Sequence, residues 1–242
     1  MSIFSIFRGS PEKQLQRLRK KVREPHGDSS VRVNAAYKLY EIGTPAAIAT
    51  LLERFTISVS PQTEDEEEKN QVLRWAVDLG EEALEPLKTF LRVRRQVYWP
   101  IRALKELVPE EKLLEVVQET LQHLWESPPA TTEPQAQMIR SVVGKPTPAL
   151  TQTVRRYLAE KDDDVTLAAL EYLFELSPDE ARESVLETFL ECEDRPRVRG
   201  QILKRLARLG WSVKGFRAKI EESLPEGHVL TRDGAVKIIG QA

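Results

Sequence analysis

Asp28-Ser-Ser-Val31-Arg32-Val-Asn-Ala35-Ala36-Tyr-Lys-Leu39-Tyr-Glu-Ile42-Gly43-Thr44-Pro45-Ala-Ala-Ile48-Ala-Thr-Leu51-Leu52-Glu-Arg-Phe55 decides the fold. Counted from Val31, apolar side chains fall at offsets 4, 5, 8 and 11 (Ala35, Ala36, Leu39, Ile42), the spacing of one buried helix face. Gly43, at offset 12, suits a left-handed C-terminal cap, and Thr44-Pro45 opens a second apolar series at Ile48, Leu51, Leu52 and Phe55. A helix, a tight turn and a second helix are predicted.

The template recurs along the chain. From Val165 it selects Ala169, Leu170, Leu173 and Leu176, followed by Ser177-Pro178; from Val198 it selects Ile202, Leu203, Leu206 and Leu209, closed by Gly210. A copy starting at Glu68 carries Val72, Leu73, Ala76 and Leu79 before Gly80, and looser copies begin near Val97 and Thr132. The starts are 37, 29, 35, 33 and 33 residues apart, which suits two-helix units. Second helices are expected over 45–55, 81–92, 110–125, 147–159, 178–192 and 212–223. A two-helix unit cannot bury its apolar stripe alone, so neighbours must stack and share a core.

The run Asp28 to Pro45 resembles the bacterial HEAT repeat, and the resemblance extends over about residues 28–223. It implies an all-α, right-handed α-solenoid of about six helix pairs. Three segments are expected: an N-terminal capping segment at 1–27, the repeat array at 28–223 and a C-terminal cap at 224–242. In the first, Ser10 and Pro11 start a helix over 11–24. The apolar lead Ile3, Phe4, Ile6 and Phe7 is expected to cover the end of the stack rather than touch a membrane. In the last, His228-Val-Leu230 and Val236-Lys-Ile238 flank Asp233-Gly234, the pattern of a β-hairpin; helix through 235–239 is the alternative. The acidic run Glu64 to Glu68 is read as a solvated helix start.

The resemblance says little about activity, because HEAT-like repeats occur in scaffolds, adaptors, bilin-lyase subunits and some DNA glycosylases. The residues themselves point away from catalysis. One cysteine, Cys192, and three scattered histidines form no nucleophile, phosphate or metal motif, so neither cofactor nor metal is expected, and the chain is read as a non-enzyme. Asp162 to Asp164 are assigned to helix capping. The four tryptophans occupy ordinary packing positions. A single cysteine fits a reducing cytoplasm, and no stretch is long enough to span a membrane.

With a net charge of −2, charge arguments must be local. Second helices line the concave face of such solenoids, by resemblance, and two of them are acidic here. Glu111, Glu115 and Glu119, and on another repeat Glu183 and Glu187, are the candidate surface for a protein partner bearing a basic segment. The first helix of the last repeat is basic instead: Arg197, Lys204 and Arg208 form an outward stripe opposite Val198, Ile202, Leu206 and Leu209. That stripe is a candidate anion-binding surface, and it carries the alternative of nucleic-acid binding of the DNA-glycosylase type. Arg199, at the edge of the buried arc like Arg32, is expected to be structural.

Overall fold

The computed structural model describes residues 10–239. Among these residues thirteen α-helices follow one another, and the strands are two three-residue segments near the C-terminal end. The expected Ile3 to Phe7 contact lies outside the described residues. The chain divides into two compact units at Pro134/Gln135, inside the stretch expected as one array.

The first unit begins with α1 (Pro11–Val22), capped by the Ser10 side chain, which accepts from Lys13 N. It continues with α2 (Ser29–Ile42), α3 (Pro45–Leu52, extended by a 3₁₀ turn at Glu53–Thr56), α4 (Gln62–Asp78), α5 (Glu81–Val93), α6 (Tyr98–Leu107) and α7 (Glu110–Glu126). Alternate helices are neighbours: α2 packs on α4 and α4 on α6, while α3 packs on α5 and α5 on α7. The result is two helical layers with Leu39, Ile48, Leu51, Leu52, Leu87, Leu91, Leu104 and Val117 sealed between them. α1 lies on α2 and α3, covering the open end of this unit.

The second unit contains α8 (Glu133–Ser141, starting two residues before the division), α9 (Pro148–Arg156, with a 3₁₀ turn at Tyr157–Ala159), α10 (Asp163–Leu173), α11 (Pro178–Glu191), α12 (Pro196–Leu209) and α13 (Arg217–Glu222). α10 is its axis. Eight of its residues between Val165 and Leu173 are buried, as a helix with neighbours on several sides requires, while Glu171 keeps one edge open to solvent. β1 (His228–Leu230) and β2 (Val236–Ile238) pair antiparallel, with Val229 opposite Lys237. The hairpin docks on α12 with Val236 buried, so the sequence expectation of strand rather than helix holds.

Turn chemistry follows the sequence closely. Gly43 and Gly210 adopt left-handed backbone at φ of 62° and 67°, where a Cβ would be strained. Thr44 caps α3 by accepting from Ala47 N, and Asp162 caps α10 by accepting from the amides of Asp164 and Val165.

Four details depart from the sequence expectations. Val31, the anchor of the template, is 44% exposed, and Leu209 is 42% exposed rather than part of the buried arc, because the last turn of α12 runs past the end of its packing. The final helix is short: Ser212 forms a bridge with Ala235, and Val213 N donates to Gly234 O at 2.8 Å, which diverts the chain toward the hairpin. The acidic run is not wholly solvated, since Asp65 and Glu68 are buried.

Candidate functional site

The buried acids belong to an ion network in the first unit. Arg32 on α2 is 2% exposed and donates to Glu68 from Nε at 3.0 Å and Nη2 at 2.8 Å, and to Glu64 at 2.6 Å. Its remaining guanidinium nitrogen donates to the Gly27 and Glu24 carbonyls. Arg54, 1% exposed, reaches Glu68 from Nε and Asp65 from Nη2, both at 2.7 Å, and Lys69 donates to Asp65 at 2.6 Å. Ser29 Oγ completes the Glu68 shell at 2.6 Å. Burial pushes the Glu68 and Asp65 carboxyls up. The hydrogen bonds outweigh it, from Arg32, Ser29 and Arg54 on Glu68 and from Lys69 and Arg54 on Asp65, and both carboxyls lie below their ordinary values. Every charge in this network has a partner, so its role is to fix α2, α3 and α4 in register. Glu53 does the same for α1, receiving Arg19 at 2.8 Å, with Arg23 and Arg94 nearby.

The acids of α7 and α11 face solvent. Leu113, Val116, Val117, Leu121 and Leu124 point α7 into the first unit's core, leaving Glu111, Glu115 and Glu119 exposed one turn apart. Lysines partly answer them: Lys112 pairs with Glu115 at 2.9 Å, and Lys88 lies 3.5 Å from Glu119. α11 is different. Ala181, Val185, Leu186 and Phe189 bury its inner face, while Asp179, Glu183, Glu187 and Glu191 stand exposed at successive i, i+4 positions. Among the described residues none of these four has an ion-pair partner, and the last turn of α11 carries no basic residue. Asp179 and Glu191 extend the expected pair into a ladder about 18 Å long. The two acidic surfaces lie in separate units.

On α12 the predicted basic stripe is exposed. Arg197 pairs with Asp164 at 2.8 Å, and Lys204 and Arg208 have no ion-pair partner among the described residues. Arg199 is half-buried, lies 4.5 Å from the centre of the Phe189 ring and donates to the Ser223 carbonyl. The ties from α12's start to α10 come instead from Arg195, which bonds Asp163 at 2.8 Å, the Glu160 carbonyl at 2.9 Å and Thr166 Oγ at 2.8 Å.

The aromatics pack as their positions suggest. Trp99 stacks on Phe55, Trp211 meets Phe174, and Trp75 joins Tyr37 and Tyr40 on the outer side of α2 and α4. Cys192 is buried, which pushes its thiol up. Among the described residues no group of three His, Cys, Asp or Glu is placed to hold a metal ion, and no helix is long and apolar enough to cross a membrane.

Residues 31–55 match the PBS lyase HEAT-like repeat. The match spans most of α2 and all of α3, the two-helix unit from which the template was drawn, and supports a HEAT-like repeat in a chain whose described residues are mostly helical. No curated protein and no solved structure matches the chain.

Proposed function

We propose that the chain is a non-catalytic HEAT-repeat scaffold or adaptor of the bacterial type that holds a protein partner on its second helices. In this view each unit is a right-handed stack of three HEAT-like pairs, six in all, and the second-helix side is concave. The partner brings a basic segment to the acidic faces formed by Glu111, Glu115 and Glu119 on α7 and by Glu183 and Glu187 on α11. The lone buried Cys192 fits work in the reducing cytoplasm.

One observation carries the proposal: the α11 ladder is uncompensated. Three like-charge pairs at i, i+4 cost a helix about 0.2–0.5 kcal/mol each, roughly 0.6–1.5 kcal/mol together. The helix dipole favours Asp179 in the first turn, but Glu191 faces its unfavourable end, so the C-terminal part of the ladder is left without compensation among the described residues. A basic partner segment would supply it. Exposed pairs contribute only about 0–1 kcal/mol each, so apolar anchors supply most affinity while the acids steer association and select the sign of the partner. Ion pairs account for the displaced pKa values of Arg32 and Glu68, a helix cap for Glu180, and burial for Tyr157 and Cys192, which fits a non-catalytic role.

The test is affinity capture from the native cell with the wild-type chain and with Glu115, Glu119, Glu183 and Glu187 all changed to Lys. A stoichiometric protein bound by the wild type and lost by the folded reversal supports the proposal. Equal capture by both chains, or salt-dependent capture of nucleic acid instead of protein, refutes it.

A further inference from the structure

The second unit also carries a surface of opposite sign on its first helices. Arg140 of α8, Leu167, Leu170 and Glu171 of α10, Phe174 just after it, and Arg197, Gln201, Ile202 and Arg205 of α12 line an open groove of about 270 Å³. Its floor is apolar: the rims of Leu167 and Phe174 reach the surface above the fully buried Ile202. Its walls are cationic. Glu171 answers Arg140 at 3.3 Å, Asp164 answers Arg197 at 2.8 Å, and Arg140 also donates to the Asp164 carbonyl at 3.2 Å.

Those contacts hold two arginines open as the groove's sides and leave the third unused. Arg205 is half-buried, lines the groove and has no hydrogen bond or ion pair among the described residues, nor has Gln201 beside it. A guanidinium presents five donors in a fixed fork that matches a carboxylate, so an unengaged fork above an apolar floor is half of a recognition pair. Lys204 and Arg208 stand on the same side of α12, at small angular offsets from Arg197 on the helical wheel, and extend the positive rim. The volume is at the small end for a ligand pocket, enough for one or two large side chains rather than a whole small-molecule ligand.

We propose that this groove docks an acidic protein segment: one large apolar residue sits on Leu167 and Phe174, and flanking carboxylates are taken by Arg205 and by the free edges of Arg140 and Arg197. Charge complementarity fixes the sign of the occupant, and the apolar floor sets it apart from a bare polyanion. This surface is independent of the acidic second helices, so either binding mode stands if the other fails.

The probes are two peptides, acetyl-Glu-Glu-Leu-Phe-Glu-Glu-amide and its counterpart with every Glu replaced by Lys, titrated into the ¹⁵N-labelled full chain at low salt. The acidic peptide is expected to bind saturably, to shift the amides of Leu167, Phe174 and Gln201, and to weaken as salt rises. The basic peptide is expected to leave those three amides unshifted, whatever it does at the acidic faces of α7 and α11. R205S removes a side chain with no polar partner among the described residues, so it is expected to keep the fold and to weaken the acidic peptide at least threefold; R140S/R197S/R205S is expected to abolish it, with circular dichroism reporting the fold. The proposal is overturned by no saturable shift with the acidic peptide, by equal shifts of these three amides with both peptides, by unchanged binding of the acidic peptide to R205S, or by tighter binding of a 12-base-pair DNA duplex through the same amides. Concentration-dependent self-association of the unliganded chain, lost in both R205S and E183K, assigns the groove to a second copy and also overturns it.

Discussion

Replacing Glu68 by Ala takes out the acid that α2 and α3 share. Its carboxylate accepts four guanidinium hydrogen bonds of 2.7–3.1 Å from Arg32 and Arg54, and one of 2.6 Å from Ser29, at a position only 5% exposed. Breaking a buried ion pair by removing one partner costs about 3–5 kcal/mol, because the remaining charge is left unanswered in a poor solvent. Here the arginines keep some company. Arg32 retains Glu64 and two carbonyls, and Arg54 retains Asp65 and the Ile57 carbonyl. The lower end of the range, about 3 kcal/mol, is therefore expected. Urea unfolding followed by tryptophan fluorescence is well suited, since Trp75, Trp99 and Trp125 all lie in the first unit. The exposed pair Lys112–Glu115 serves as the reference for a solvent-screened surface ion pair. A second variant separates charge from packing: changing Arg32 and Arg54 to Met together with Glu68 to Leu leaves no buried charge orphaned at that point and should cost less than Glu68→Ala alone. A loss below about 1 kcal/mol for Glu68→Ala, equal to the surface reference, would refute the argument.

Acid should act through the same groups. The Glu68 and Asp65 carboxyls are held below their ordinary values of 4.5 and 3.8, so their stabilisation is complete above those values and is lost as pH falls through the lower folded values. A Glu68→Gln chain should show a flatter decline of stability between neutral pH and acid, measured by urea midpoints. Arg199→Ala should cost about 1–3 kcal/mol through the lost Ser223 bond and Phe189 contact, whereas Arg197, Lys204 and Arg208 changed together to Ser should cost under about 1 kcal/mol by the same measurement. Gly210→Ala should lower stability by about 1–2 kcal/mol, because φ of 67° is a left-handed conformation that alanine resists. Glu183→Gln with Glu187→Gln relieves all three repulsive α11 pairs and should stabilise the free chain by about 0.6–1.5 kcal/mol in thermal unfolding, with no change contradicting the strain assigned to that ladder.

The sequence carried the helix pairs because their signals are local: a 3.6-residue apolar rhythm, Thr44 and Asp162 as caps, and Gly43 and Gly210 where the chain must turn. It hid the ion network because charged residues are ordinarily assigned to the surface. A trace was present. Arg32 falls in helical phase with Ala36 and Leu39, while the neighbouring Val31 does not, and Asp65, Glu68 and Lys69 continue the phase of Val72, Leu73 and Ala76 backward along α4. The acids of α7 and α11 were legible as solvent-facing by the same periodicity. Whether a neighbouring helix would answer them was not, since Lys88 reaches Glu119 from 31 residues away. The arginine groove draws on three helices, and only their packing brings Arg140, Glu171 and Arg205 together. The two-unit division falls at the end of Ser127-Pro128-Pro129-Ala130-Thr131-Thr132-Glu133-Pro134, a proline- and threonine-rich stretch whose meaning as a boundary the helical periodicity on either side masked.

The protein-binding role is tested most directly by the association rate of the captured partner with the wild-type chain and with E183K/E187K, measured across a range of salt concentrations. The uncompensated α11 ladder predicts fast, salt-sensitive association for the wild type, and slower association with a flattened salt dependence for the variant, whose fold is unchanged by circular dichroism. Identical association rates for the two chains at low salt would contradict it.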